Sequence, residues 1–244
     1  MGKDIVMAVD GVTRRFGGLV AVDNISFDLA ERDVLGLIGP NGSGKTTMMN
    51  LISGALRPDA GRIVLNGQDI AGKPANRIAR LGVARTFQLV RMLPSMTVLE
   101  NVKAGGVFGH ATRWGAALDD FAREQLARVG MEGAGAQPVS GLTYIDRKRV
   151  ELARALASEP RVLLLDEWLA GLNPTELQTG IGLIERLRGE GRTIVIVEHV
   201  MDAIRSLCDR CVVMNSGAKI AEGTPAEVLS DAEVIRAYLG DADA

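Results

Sequence analysis

The 244-residue chain is poor in cysteine and histidine, with two of each, and that scarcity excludes a disulfide framework and most zinc chemistry. The spacing Cys208-Asp-Arg-Cys211 leaves only His110 and His199 as further soft ligands, and neither is placed to complete a tetrahedral site. The two thiols therefore read as packing between a helix end, Ala203 to Leu207, and a strand, Val212 to Met214. Long apolar runs are missing too: none reaches the roughly 20 residues of a membrane-crossing helix. The strongest, Val162 to Leu165 and Ile194 to Val197, read as buried strands. The start, Met1-Gly-Lys-Asp4, carries one base and no apolar segment, so export is not expected and the cytoplasm is the expected compartment. Charge of one sign is also lacking. Twenty-eight basic against thirty acidic residues give a net charge of −2, too weak a field to draw the whole molecule onto nucleic acid, which is not an expected partner.

What remains, 47% hydrophobic and 24% charged, is the composition of a folded chain of one large domain or a core with an insert. Short aliphatic runs recur at Val34 to Ile38, Val83 to Phe87, Val162 to Leu165, Thr193 to Val197 and Cys211 to Met214, mostly separated by helical lengths. That alternation predicts a parallel sheet covered by helices. Ile5 to Val9, Ile25 to Leu29 and Ile63 to Ile70 predict an antiparallel flank, the last run folding at Asn66-Gly67. From Pro94 to Ser158 the pattern turns helical, with stretches at Ala116 to Val129 and Arg147 to Ala157. After Asn173-Pro174 an amphipathic helix is expected over Glu176 to Arg188. The expected organisation is a core with antiparallel flank over residues 1–90 and 159–224, a helical subdomain over 91–158 and a helical tail over 225–244.

The sharpest local signal is Gly39-Pro-Asn41-Gly42-Ser43-Gly44-Lys45-Thr46, between the strand ending at Ile38 and a helix beginning near Thr47. Glycines let successive N–H groups turn inward around a phosphate, a helix N-terminus adds partial positive charge, Lys45 can reach terminal phosphates and the Thr46 hydroxyl can ligate Mg²⁺. Arg161-Val-Leu-Leu-Leu-Asp166-Glu167 is an apolar strand ending in two carboxylates. Beside a phosphate loop, Asp166 can hold Mg²⁺ through water and Glu167 can activate the water that attacks a γ-phosphate.

Four further features follow in order: Gln88 closing the strand Val83 to Phe87, Val139 to Leu156 ending in Ala-Arg-Ala-Leu, Ala170-Gly-Leu-Asn173, and Glu198-His199 after Thr193 to Val197. Together, over nearly the whole chain, they resemble the nucleotide-binding subunits of ABC transporters. The segments Arg15-Phe-Gly-Gly-Leu-Val-Ala-Val22, Thr86-Phe-Gln-Leu-Val-Arg91, Met96-Thr-Val-Leu-Glu-Asn-Val102, Gly223-Thr-Pro-Ala-Glu-Val-Leu and Val234-Ile-Arg-Ala-Tyr-Leu-Gly240 are similar to those of branched-chain amino-acid importers. The resemblance implies an α/β P-loop NTPase (RecA-like) fold with an antiparallel flank and a helical subdomain. It implies a transport ATPase using ATP and Mg²⁺, peripheral on the cytoplasmic face of the membrane. Its implied partners are permease subunits, docking near Leu89 to Val102, and, indirectly, an extracytoplasmic binding protein. By position it implies that Phe16 stacks on adenine, that residues 39 to 47, Thr47 included, grip the phosphates, that Gln88 joins Mg²⁺ to the membrane-facing surface, and that His199 contacts the γ-phosphate.

Two departures qualify the resemblance. Counting back from Ala153-Arg-Ala-Leu156 places Leu142-Thr143-Tyr144-Ile145-Asp146 on the family's signature, which serves the nucleotide held by a partner subunit, while Val139-Ser-Gly141 falls three residues early. Thr143 can cap the helix and forms a capping-box pattern with Asp146. Ile145 replaces a glycine, and Asp146 brings negative charge toward phosphate. Trp168 stands where the family usually has proline, and is expected to shift the loop beside Glu167. The expected arrangement is a heterodimer with a second ATPase subunit that supplies an intact signature. Alternatives are a regulatory subunit that binds nucleotide with little turnover, and a soluble ABC ATPase outside transport. Urea, short amides and aromatic acids stand beside branched-chain amino acids as substrates.

Overall fold

The computed structural model describes residues 4–239; the first three residues and the end of the expected tail, 240–244, lie outside the described residues. The chain opens with β1 (Ile5–Phe16) and β2 (Leu19–Ala30), joined at Gly17-Gly18, then β3 (Val34–Ile38) and α1 (Lys45–Ile52). Next come β4 (Ala60–Leu65), β5 (Gln68–Asp69), α2 (Ala75–Arg80) and β6 (Val83–Arg85). Three helices follow, α3 (Val98–Phe108), α4 (Gly115–Arg128) and α5 (Tyr144–Ala157). The remainder is β7 (Val162–Asp166), α6 (Pro174–Gly189), β8 (Thr193–Val197), α7 (Met201–Leu207), β9 (Arg210–Asn215), β10 (Ala218–Gly223), α8 (Pro225–Ser230) and α9 (Ala232–Leu239).

Two sheets result. A four-stranded sheet runs β2-β1-β4-β5 and is antiparallel throughout. A six-stranded sheet runs β10-β9-β3-β8-β7-β6, parallel except for the edge strand β10. The Asn66-Gly67 turn forms as expected, both residues having positive φ (47° and 78°), the backbone such a two-residue turn requires. The strand expected over Ile5 to Val9 runs on to Phe16, because β1 pairs with both β2 and β4. The strand expected to reach Phe87 stops at Arg85, although the Thr86 N–H still donates to the Leu164 carbonyl.

Every residue of β3, β7 and β8 is buried. Alternation sorts them to two faces: Leu35, Leu37, Val162 and Leu164 pack with α1 and the antiparallel sheet, while Val34, Ile38, Leu163 and Leu165 pack under the helical layer. At about 1.5–3 kcal/mol for each large apolar side chain fully buried, these strands form the rigid centre of the molecule. Helices α3, α4 and α5 pack on one another. The expected start of α6 is realised in full: Asn173 and Glu176 form a reciprocal capping box, with Pro174 in the first turn. Because β3, β6, β7 and β8 are parallel, the segments after all four emerge at one edge of the sheet.

Candidate functional site

The loop from Gly39 to Gly44 joins β3 to α1. Gly39, Gly42 and Gly44 all have positive φ, the backbone conformation that a phosphate-cradling loop at a helix start uses. Two of these glycines are also required by space: a Cβ at Gly39 would strike the Met214 carbonyl, and one at Gly44 the Ala21 carbonyl. The Lys45 ammonium, buried, donates to the carbonyls of Gly39 and Pro40, each at 2.8 Å. Burial pulls its pKa below the ordinary lysine value, while Glu167 and Asp166 work the other way. The loop walls a cavity of about 470 Å³ whose other sides include Phe16, Thr46, Thr47 and Glu167. Phe16 is 43% exposed and lies under the Arg14 guanidinium, 4.8 Å from ring centroid to cation, so it is not strand-core packing.

Asp166 ends β7 and is buried. Its Oδ2 accepts from the Arg85 guanidinium at 2.6 Å, and Arg85 also donates to Asn50 Oδ1 at 2.7 Å and Ser53 Oγ at 3.1 Å. Sequence reasoning missed Arg85, since 81 residues separate the pair and no local pattern links them. Glu167 follows with φ +48°, unusual for a residue with a side chain. One of its oxygens accepts from Gln88 Nε2 at 2.6 Å and the other meets His199 Nε2 at 3.0 Å. Glu167 and His199, expected at the γ-phosphate, and Gln88, expected at Mg²⁺, thus converge from the segments that follow β7, β8 and β6.

The signature residues lie elsewhere, at the start of α5. Thr143 is its N-cap, accepting the Asp146 N–H at 3.3 Å. The expected capping box is only half made, because the Asp146 carboxylate takes the Thr143 hydroxyl at 2.7 Å instead of that residue's N–H. Asp146 also pairs with Arg149 at 3.2 Å, which tempers its charge. Tyr144 is exposed, whereas Ile145 is buried at 7%, so its β-branched side chain faces inward. Val139–Gly141 forms a single 3₁₀ turn ahead of the helix. Trp168 is also buried, with its indole N–H donating to the Lys148 carbonyl at 3.2 Å. That bond ties the loop after Glu167 to α5. Cys208 and Cys211 are free and buried against Gly36 of β3, as packing thiols would be.

Among the described residues no helix is long and apolar enough to cross a membrane. The ABC transporter family profile matches residues 22–170, and a profile described as the branched-chain amino acid ATP-binding cassette transporter matches residues 218–244. The high-affinity branched-chain amino acid transport ATP-binding protein LivG of Salmonella typhimurium is 42% identical over 252 residues, covering 97% of this chain and 98% of that protein. The corresponding BraF protein of Pseudomonas aeruginosa is 39% identical, with the same coverage. A crystal structure of an ABC transporter ATP-binding cassette in its ADP conformation superposes with a TM-score of 0.88 at 30% identity, covering 97% of this chain and 99% of that one. CbiO1 of Clostridium perfringens, part of the cbiONQ transporter complex, gives 0.81 at 29% identity over 96% of this chain and 94% of its own. With a phosphate loop, an acidic strand end and a convergent Gln-Glu-His trio on one sheet edge, the chain belongs to the ABC transporter family, as an ATP-binding cassette whose ATPase chemistry serves transport.

Proposed function

We propose that this subunit powers uptake of branched-chain amino acids, with the residues around Glu167 performing hydrolysis. Hydrolysis is carried by one observation, that Gln88 and His199 each hold one oxygen of the Glu167 carboxylate beside the cavity walled by the phosphate loop, and the substrate by the likeness to the branched-chain amino acid transport proteins. ATP lies with its adenine on Phe16 and its phosphates on the N–H groups of residues 39–47, where Lys45 exchanges its loop carbonyls for phosphate oxygens. Glu167 takes a proton from the attacking water, the bond from γ-phosphorus to the bridging oxygen breaks, and ADP and phosphate leave. His199 orients the carboxylate and contacts the γ-phosphate.

The Thr46 hydroxyl, the Gln88 amide oxygen and Asp166 form a hard-oxygen donor set suited to Mg²⁺. When bound, Mg²⁺ supplies charge neutralisation on the phosphates. Arg85 holds Asp166 through Oδ2, fixing the carboxylate at the end of β7.

The division into a core with antiparallel flank, a helical subdomain and a short tail is supported by the packing of α3, α4 and α5 on one another. Between the core and these helices lies an apolar groove of about 380 Å³ that includes Phe87, Arg91 and Phe108, and this groove receives a permease segment at the cytoplasmic face of the membrane. Gln88 follows the groove residue Phe87 in the chain and bonds Glu167, so docking is felt at the base. A second ATPase subunit completes the site in trans, and an extracytoplasmic binding protein delivers substrate to the permease. Asp146 is the residue that favours a heterodimer, since an acidic side chain replaces a neutral one near the partner's phosphates; the inward Ile145 contributes nothing to that argument.

The test is phosphate release by this chain alone and with its cognate second subunit. Turnover is expected to rise on pairing. Glu167→Gln lowers it by at least about a hundredfold while ATP binding persists. Full turnover in the Gln variant would favour a regulatory, non-hydrolysing subunit.

A further inference from the structure

Helix α5 begins with the signature residues and, four residues beyond Tyr144, carries Lys148, whose side chain is 0% exposed. An ammonium in such a place persists only when its donors are used. Lys148 Nζ donates to the Trp168 carbonyl at 2.8 Å and to the Glu167 carbonyl at 3.3 Å, and the Trp168 indole N–H donates back to the Lys148 carbonyl at 3.2 Å. The same ammonium lies 5.0 Å from the ring centroid of the exposed Tyr144, and that ring borders Gly171 in the loop after Glu167. Burial lowers the Lys148 pKa, while the charges of Glu198 after β8, Glu151 on the same helix and Glu167 itself work the other way. The indole packs closely on α6, where a Cβ at Gly180 would lie 3.2 Å from Trp168 Cζ3 and 2.7 Å from Leu169 Cδ2. Glu167, at φ +48°, is held in that conformation by its N–H to the Val197 carbonyl at 2.8 Å and its own carbonyl to Lys148.

We infer that Lys148 and Trp168 are positioning residues, a reciprocal latch tying the backbone of Glu167 to the helix that bears the signature. Engagement of Tyr144 and its neighbours by the partner's nucleotide then adjusts the aim of this chain's own base. The inference rests on the proposed function. Neither residue touches substrate. A hydrophobic pair of equal volume would hold the fold as well, since buried charges rarely add net stability, so the latch has its use in aim and not in folding.

The test uses the full chain with its cognate second subunit. Trp168→Phe keeps the ring in its seat and removes the indole donor; Lys148→Met keeps the length and removes the ammonium. Each is expected to lower kcat by between about tenfold and a hundredfold, with KM and the Kd of the isolated chain for ATP within about twofold of wild type. The double variant falls no further than the worse single one, as one coupled unit requires, and Lys148→Arg regains most of the rate. Retention of kcat within twofold in both single variants overturns the latch. So do KM and Kd rising in step with the loss of kcat, or independent, multiplying losses. Should Lys148→Met not fold, Trp168→Phe decides alone. Failure of the wild-type pair to hydrolyse ATP would instead strike the proposed function, and the latch with it.

Discussion

The phosphate loop and the signature helix are two ends of one ATPase apparatus, held in place by different means. Residues 39–44 take their shape from the backbone: three positive-φ glycines, two of them pressed against carbonyls of neighbouring strands, leave the loop one conformation. The start of α5 takes its place from side chains far apart in sequence, through Lys148 and Trp168, and keeps only half a capping box. The first kind of site tolerates no change at a few positions, where backbone conformation and the neighbouring strands leave room only for glycine. The second can drift from its family's pattern, as Tyr144-Ile145-Asp146 has, provided the buried contacts behind it are kept.

The largest stability effect that sharpens this contrast belongs to the core side. Arg85→Met leaves Asp166 buried and unpaired, and is expected to cost about 3–5 kcal/mol in urea unfolding. A loss under 1 kcal/mol would show that the acidic strand end needs no such support. Next comes Glu198, which accepts the Leu169 N–H at 2.7 Å and whose pKa is pushed up to about 7 by burial, with Lys148 and that N–H opposing. Its folded value lies above its unfolded one, so the folded state binds the extra proton between the two. The associated stability is present in full below about pH 4.5 and is lost as pH rises through 7. Between pH 5 and 8 the wild type should lose up to about 3 kcal/mol relative to Glu198→Gln in thermal unfolding, and parallel profiles would refute the assignment. The smallest effect is at the helix start. Thr143→Ala removes a cap worth about 1 kcal/mol, and Thr97→Ala, which breaks the complete capping box of α3, should cost more. Equal losses would erase the distinction between a full and a half-made box.

The same contrast explains what could be read before the structure. Gly39 to Thr46, Asn66-Gly67 and Asn173-Pro174 announce themselves because their chemistry is local: a φ angle, a turn type, a cap. The alternation in β3 and β7 declares a sheet buried on both faces for the same reason. The strand end at Arg85 and the half-made box at Asp146 differ from expectation by two residues and by one hydrogen bond, where competing hydrogen bonds decide. Arg85 with Asp166, Lys148 with Trp168, and Gly180 beneath the indole left no local trace, since each pair meets only through the fold. Trp168 stands out in the sequence as a departure, whereas its burial and its bond to α5 come only from the fold.

The most direct test of the whole account is calorimetric titration of the wild-type chain and of Lys45→Ala with ATP in the presence of magnesium. The account predicts saturable uptake of one nucleotide per wild-type chain and its loss, by at least about tenfold in affinity, when the ammonium that lines the 470 Å³ cavity is removed. Equal binding by both proteins, or none by the wild type, would contradict it.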